Sequence, residues 1–284
     1  MIETDKLFKE KLLETFRAFD AFCKKHEIKY YAAYGTLIGA VRHHGIIPWD
    51  DDIDVFMTRE DYEKFCSFRG NVDGHYDIMD INDKNYWLLS LAKFVDTDTT
   101  LWEHESLPLV LGVYIDVFPL DETSSENSLT YKADYDKYSL LVARSMMRHP
   151  IKQLLRGLVH PCSEIEMLKD IFVHRHNASL YRTQYDSLVQ KLKMQRGNYF
   201  VSYDGPYGVG EIMHKEWFAK TVSLPFEDMT IEAPIGYDSI LRKLYGDYMQ
   251  LPPENKRVSH HSHYFLDLNK RWTLEEISII KSRW

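Results

Sequence analysis

Cysteine is scarce: the 284 residues hold three, Cys23, Cys66 and Cys162. An odd number without C-x-x-C spacing builds neither a disulfide framework nor a cysteine zinc site, so buried free thiols are expected. No run of about 18 apolar residues occurs, which argues against a membrane-spanning helix. The opening Met1, Ile2, Glu3, Thr4, Asp5, Lys6 lacks the basic-then-apolar order of a secretory leader, so a cytoplasmic location is expected. Proline (10) and glycine (13) are too sparse for a fibrous or low-complexity chain. Basic residues are outnumbered, 35 against 43 acidic ones, and the formal charge of −8 predicts no nucleic-acid partner.

What is present points to a soluble globular protein: 44% apolar and 14% aromatic residues, enough for about two domains or one elaborated domain at roughly 150 residues each. The charge is uneven. Residues 141–196 carry ten Lys or Arg against four Asp or Glu, a net of +6 within a chain of −8. An anionic partner would prefer that segment.

Apolar residues at Phe8, Leu12, Phe16, Phe19 and Cys23 follow helical spacing and predict a helix over Asp5 to His26. Tyr30 to Tyr34 reads as a strand broken at Gly35, followed by helical turns over Thr36 to Val41. A second strand around Ile53, Val55 and Phe56 ends at Thr58, an N-cap for a helix over Arg59 to Phe68. Further strands are expected at Tyr76 to Met79, Trp87 to Val95, and Val113 to Phe118 closed by Pro119. Leu129 to Met194 reads as mostly helical, with breaks at Pro150 and Pro161. Short strands return at Asn198 to Ser202 and Thr221 to Ile231, before a helix over Tyr237 to Tyr245 that stops at Gly246. The expected organisation is an α/β (α+β) core over 1–128, a helical basic insert over 129–196, and a mixed C-terminal segment over 197–284 that completes the core.

The chemistry concentrates in Pro48, Trp49, Asp50, Asp51, Asp52, Ile53, Asp54, where four carboxylates fall in five positions at the start of a strand. Such crowding raises each acid's pKa and is relieved by a divalent cation; the alternative is a solvated acidic turn. Period two puts Asp52 and Asp54 on one face, a clamp suited to Mg²⁺ or Mn²⁺, which prefer oxygen ligands. Asp116 sits mid-strand among Tyr114, Ile115, Val117 and Phe118, where a buried carboxylate needs a partner: the same metal, a neighbouring turn, or an arginine. Upstream by about sixteen residues, Gly35 and Thr36 stand at a strand-to-helix turn whose N–H groups can cradle a phosphate. Arg42, His43 and His44 follow as phosphate partners, or as an exposed basic turn.

The run Tyr34, Gly35, Thr36, Leu37, Ile38, Gly39, Ala40, Val41, Arg42, His43, His44, Gly45, Ile46, Ile47, Pro48, Trp49, Asp50, Asp51, Asp52, Ile53, Asp54 resembles the signature of the LicD family. That family includes bacterial phosphocholine transferases, with fukutin and the fukutin-related protein as distant relatives. Two later pieces also resemble it. One runs from Tyr114 to Asp121; the other is the tail Tyr245, Gly246, Asp247, Tyr248, Met249 with Pro252, Pro253, Lys256, Arg257, His260 and His261. The resemblance implies a nucleotidyltransferase-like mixed sheet, in which Gly35 and Thr36 answer to the glycine-hydroxyl turn and Asp52, Asp54 and Asp116 are the metal-binding, catalytic carboxylates. It further implies a CDP-choline donor, Mg²⁺-dependent transfer of phosphocholine to a glycan hydroxyl (teichoic acid, lipopolysaccharide or capsule precursor), and release of CMP. Arg42, Trp49, Asp50, Lys256, Arg257 and His260 are the further substrate-binding candidates, and the acceptor is expected to be lipid-linked.

Other readings stay open. A glycerol- or ribitol-phosphate donor would use the same machinery, and a silent nucleotide- or glycan-binding scaffold is the reading from another class. Trp49, Trp87, Trp102, Tyr203, Tyr207 and Trp217 are candidates for enclosing a quaternary ammonium, although an aromatic more often packs the core. His260, His261 and His263 near Lys256 and Arg257 suit phosphate contact better than zinc. Within the insert, Arg144, Arg148, Lys152 and Arg156 recur every four residues among apolar neighbours. If helical they form a basic stripe for peripheral contact with the inner face of a membrane, or simply a helix packed on the core.

Overall fold

A computed structural model describes residues 3–80, 91–105, 107–124, 136, 178–259, 261 and 263–282. Helix α1 (Glu3–Lys25) buries the predicted stripe of Phe8, Leu12, Phe16, Phe19 and Cys23. Its aromatics reach the sheet: Phe19 stands 5.7 Å from Phe94, ring centre to ring centre. Strand β1 is shorter than expected, Tyr31–Ala32, because Tyr34 already opens helix α2 (Tyr34–Ile38) with φ 43°. Positive φ at a tyrosine is sterically costly, and such strain gathers where surrounding structure enforces it. Helix α2 widens into a π turn over Gly39–His43.

Strand β2 (Asp54–Thr58) runs directly into helix α3 (Arg59–Cys66), and the Thr58 hydroxyl caps it by accepting the Asp61 N–H at 3.3 Å. Strands β3 (Tyr76–Met79), β4 (Ala92–Asp96), β5 (Thr100–Trp102) and β6 (Tyr114–Thr123) follow. The Trp87 end of the predicted β4 lies outside the described residues. Pro119 does not close β6 as expected. The Asp116 N–H faces β2, donating to Ile53 O at 2.9 Å, so alternation turns the Pro119 nitrogen the other way, past the last β4 partner at Ala92. A missing donor there costs no ladder bond.

The sheet order is β1-β2-β6-β4-β3, with β2 and β6 parallel and the other pairs antiparallel. The far half of β6 pairs with β7 (Tyr199–Val201), which pairs with β8 (Ile212–His214). Helix α4 (Ala178–Lys193) precedes β7 and closes a small second core in which Tyr185, Leu188 and Leu192 meet Val201, Tyr203 and Ile212. The rest of the expected helical insert, with Pro150, Pro161 and the basic stripe, lies outside the described residues. The single strand expected over Thr221 to Ile231 is a hairpin, β9 (Thr221–Phe226) and β10 (Met229–Pro234), turned by Glu227 at φ 53°. Helix α5 (Tyr237–Tyr245) stops at Gly246, whose φ of 68° suits glycine. A tail then adds β11 (Phe265–Asp267) to β5 and ends in helix α6 (Leu274–Lys281), opened by a Thr273/Glu276 capping box.

One main hydrophobic cluster joins residues from Phe8 to Tyr248 and holds both the early strands and β10 with α5. Among the described residues no helix is long and apolar enough to cross a membrane.

Candidate active site

Three neighbouring strands set the floor of the site. β2 and β6 run in register with Asp54 opposite Asp116, and β4 places Lys93 opposite Asp116 on the other side. Residues paired in register on adjacent strands share a face, so Asp54, Asp116 and Lys93 form a row across the sheet. The Lys93 ammonium is salt-bridged to Asp116 and lies 3.4 Å above the centre of the Tyr114 ring. Behind the row, the Thr36 hydroxyl accepts the Asp54 N–H at 2.8 Å.

The loop before β2 adds Asp50, Asp51 and Asp52. Burial, with Asp50 alongside, pushes the Asp52 carboxyl up to about 8. Burial and the neighbouring Asp52 and Asp116 push Asp54 well above the carboxylate range. Asp116 is raised too, because burial outweighs the Lys93 contact. Asp51 differs: burial opposes its charge, but hydrogen bonds from His261 (2.9 Å) and the Ser259 hydroxyl (2.6 Å) prevail and hold it low. His261 is the counterpart, raised to about 9 by its bond to Asp51, with Asp52 3.6 Å from its other ring nitrogen.

All of these carboxylates except Asp51 line an open cleft of about 980 Å³. Gly35, Arg42, Trp49, Asp50, Asp52, Asp54, Asp116 and Lys256 all reach its wall. Arg42 donates to the Tyr248 carbonyl and so ties α2 to the tail. The end beyond Asp54 is aromatic: Phe118 and Tyr207 lie 5.1 and 5.9 Å from the Tyr34 ring, and the Tyr207 hydroxyl donates to the Tyr245 hydroxyl at 3.0 Å. The Tyr34 hydroxyl in turn donates to the buried Glu211 carboxylate at 2.9 Å.

Residues 27–160 match the family described as LicD/FKTN/FKRP, nucleotidyltransferase domain. The chain carries a LicD-family domain. It is 28% identical over 250 residues to the lipopolysaccharide cholinephosphotransferase LicD of Haemophilus influenzae, covering 86% of this chain and 90% of that protein. A 37-residue stretch is 60% identical to uncharacterized proteins of Rickettsia prowazekii and Rickettsia typhi, 13% of this chain and 14% and 12% of theirs.

The LicD-family domain supplies the carboxylates, Gly35, Arg42 and Trp49, whereas Tyr207, Tyr245, Lys256 and His261 come from beyond residue 160. Two of the expected residues sit elsewhere. Thr36 is buried and holds the Asp54 backbone rather than lining the cleft. The Arg257 guanidinium lies 5.5 Å over the Trp49 ring and faces a second, smaller cavity. His260 is outside the described residues; its neighbour His261 reaches the acids. The sequence offered His261 as part of the tail and as a phosphate contact, not as a partner of the acids, since nothing local ties it to residues 210 positions upstream. Lys93 was missed altogether, and its one signal is a lysine inside an apolar strand. Of the aromatic candidates, Trp49 and Tyr207 reach the cleft; Trp102 and Tyr203 are buried elsewhere.

The donor set is all oxygen, which suits Mg²⁺ or Mn²⁺. Among the described residues, however, no three His, Cys, Asp or Glu side chains form a ready metal cage. Lys93 engages Asp116 and His261 lies beside Asp52. A Mg²⁺ ion commonly takes one or two carboxylates and completes its shell with substrate phosphates and water, so an uncaged acid pair still fits that ion.

Proposed function

We propose that this chain is a phosphotransferase that moves phosphocholine from a CDP-choline donor to a hydroxyl of a cell-surface glycan precursor. The observation that carries this is the Asp54–Asp116 pair, in register on parallel strands at the floor of a cleft that also holds Arg42 and Lys256. Acids alone would repel a diphosphate; acids facing cations suit a phosphate group and a divalent ion together. The similarity to the Haemophilus protein named a lipopolysaccharide cholinephosphotransferase supports the choice of group.

In this reading Asp52, Asp54 and Asp116 would hold Mg²⁺, which when bound neutralises charge on the diphosphate. Arg42 and Lys256 bind phosphate oxygens, and the Gly35 turn lets the donor approach the backbone. The tyrosine end of the cleft receives the quaternary ammonium through ring faces. The acceptor oxygen forms a bond to the choline-bearing phosphorus while the bond to CMP breaks, and Asp116 takes the hydroxyl proton.

The test is CMP release from CDP-choline, CDP-glycerol and CDP-ribitol, with Mg²⁺ and an oligosaccharide acceptor. CDP-choline should be preferred, and Asp54→Asn should lower turnover by at least about 10³-fold while circular dichroism is unchanged. Retained transfer in that variant would remove Asp54 from the chemistry, and a polyol preference would keep the mechanism but change the donor.

A further inference from the structure

A second cavity, of about 330 Å³, shares Trp49, Asp50, Val258 and His261 with the main cleft and is otherwise built from α1, the acidic turn and the tail. Its size is at the small end of ligand sites, which run from about 300 to 1,000 Å³. Its lining is mixed in a telling way. Asp5, Asp50 and Asp51 bring carboxylates, while Lys9, Arg257 and His263 bring donors. An isolated anion would face the acids and an isolated cation the bases, so neither is favoured. A neutral polyhydroxyl ligand needs both donors and acceptors, and apolar surface for its C–H face. Trp49, Phe8 and Leu266 supply that surface.

The groups are held in place. Lys9 donates to the carbonyls of Pro48 at 2.9 Å and Ile47 at 3.3 Å, fixing the acidic turn from beneath. The His263 ring packs 4.5 Å from Phe8. In phosphoryl transfer the attacking and leaving oxygens lie roughly in line across phosphorus, so donor and acceptor must approach from different sides. Two cavities that meet at the wall of Trp49, Asp50, Val258 and His261 provide two such approaches.

We infer that the cavity between α1, the acidic turn and the tail is the acceptor subsite, and that it takes a single neutral sugar ring. The inference rests on the transfer reaction proposed above and adds where its second substrate binds. The probes are methyl β-D-galactopyranoside, methyl β-D-glucopyranoside and methyl N-acetyl-α-D-galactosaminide, followed on the full chain by saturation-transfer NMR. At least one glycoside should receive saturation, in the presence and absence of saturating CMP. Leu266→Trp, which fills the cavity, should reduce that transfer at least fivefold. Lys9→Met is the second variant, should Leu266→Trp fail to fold, and should reduce it at least threefold. Absence of transfer to all three sugars, displacement by CMP, or full transfer in the folded variants would each overturn the inference. CDP-choline binding, followed separately, distinguishes the two levels: a chain that binds a glycoside in this cavity but no CDP-alcohol keeps the sugar site and loses the donor assignment.

Discussion

Lys93 and Asp116 show how costly single residues near the floor of the cleft are. Their side chains are 5% and 12% exposed, and the Lys93 charge offsets one of the acids in the row. Removing one member of a buried ion pair leaves the other charge stranded, at about 3–5 kcal/mol. Lys93→Met should therefore destabilise the fold by about that much in urea unfolding, and Lys93→Met combined with Asp116→Asn should recover more than half. Equal destabilisation in single and double variants would mean that the pair is not coupled. Asp54→Asn has the opposite sign. It removes one of several mutually repelling carboxylates, so without added metal its Tm should rise by roughly 2–4 °C, the size of one kilocalorie in a chain this long. Millimolar Mg²⁺ should raise the Tm of the natural protein and not that of the variant. The sequence shows why the acids are readable while their partner is not. Asp50, Asp51, Asp52 and Asp54 are adjacent in the chain, whereas Lys93 becomes meaningful only when β4 is laid beside β6 in register.

At the scale of elements, helix α2 and its π turn matter because of where they bring the backbone. A Cβ on Gly39 would lie 2.4 Å from the Gly45 carbonyl, which is main chain and cannot step aside. A Cβ on Gly35 would lie 2.6 Å from Asp50 Oδ2, the free end of a side chain that can. Gly39→Ala should thus cost about 1–3 kcal/mol of stability, while Gly35→Ala should fold nearly as well as the natural chain but displace the Asp50 carboxylate and raise the donor KM. Thermal unfolding of both, with donor KM for the second, checks this; equal stability losses would contradict it. Helical spacing and caps made α1, α3 and α5 legible, since those signals are local. The hairpin β9–β10 was not, because its turn is made by Glu227 and Asp228 rather than by the asparagine or glycine that marks a two-residue hairpin loop. β6 ran past Pro119 for a related reason: the proline rule depends on which side of the strand has a neighbour, and that is set by the whole sheet.

Across the whole molecule, the site exists because distant segments return to the acidic turn. Glu227 on the hairpin accepts the Ile46 N–H at 2.9 Å, and its own N–H donates to His44 O at 2.7 Å, holding the loop that leads to Asp50. The tail is anchored farther along. Arg271 donates to the carbonyls of Val110 at 2.9 Å and Thr99 at 3.4 Å, and the Trp272 N–H donates to the Thr100 hydroxyl at 2.7 Å, so that β11 lies along β5. That docking sets Lys256, Val258 and His261 against the cleft, a relation that no local pattern in the sequence announces. Arg271→Ala removes both carbonyl bonds of a charged donor, each of a kind worth about 1.5–3 kcal/mol in favourable settings. The loss should fall on the tail more than on the core, because α1 and the sheet keep their own packing. Amide exchange in β11, at Phe265 to Asp267, should quicken at least tenfold while exchange in β2 and β6 is unchanged. The donor KM should rise severalfold as Lys256 and His261 lose their seat, with Arg271→Lys in between. Uniform faster exchange throughout the sheet would instead make the tail part of one cooperative unit with the core, and its docking a condition for folding rather than for assembling the site.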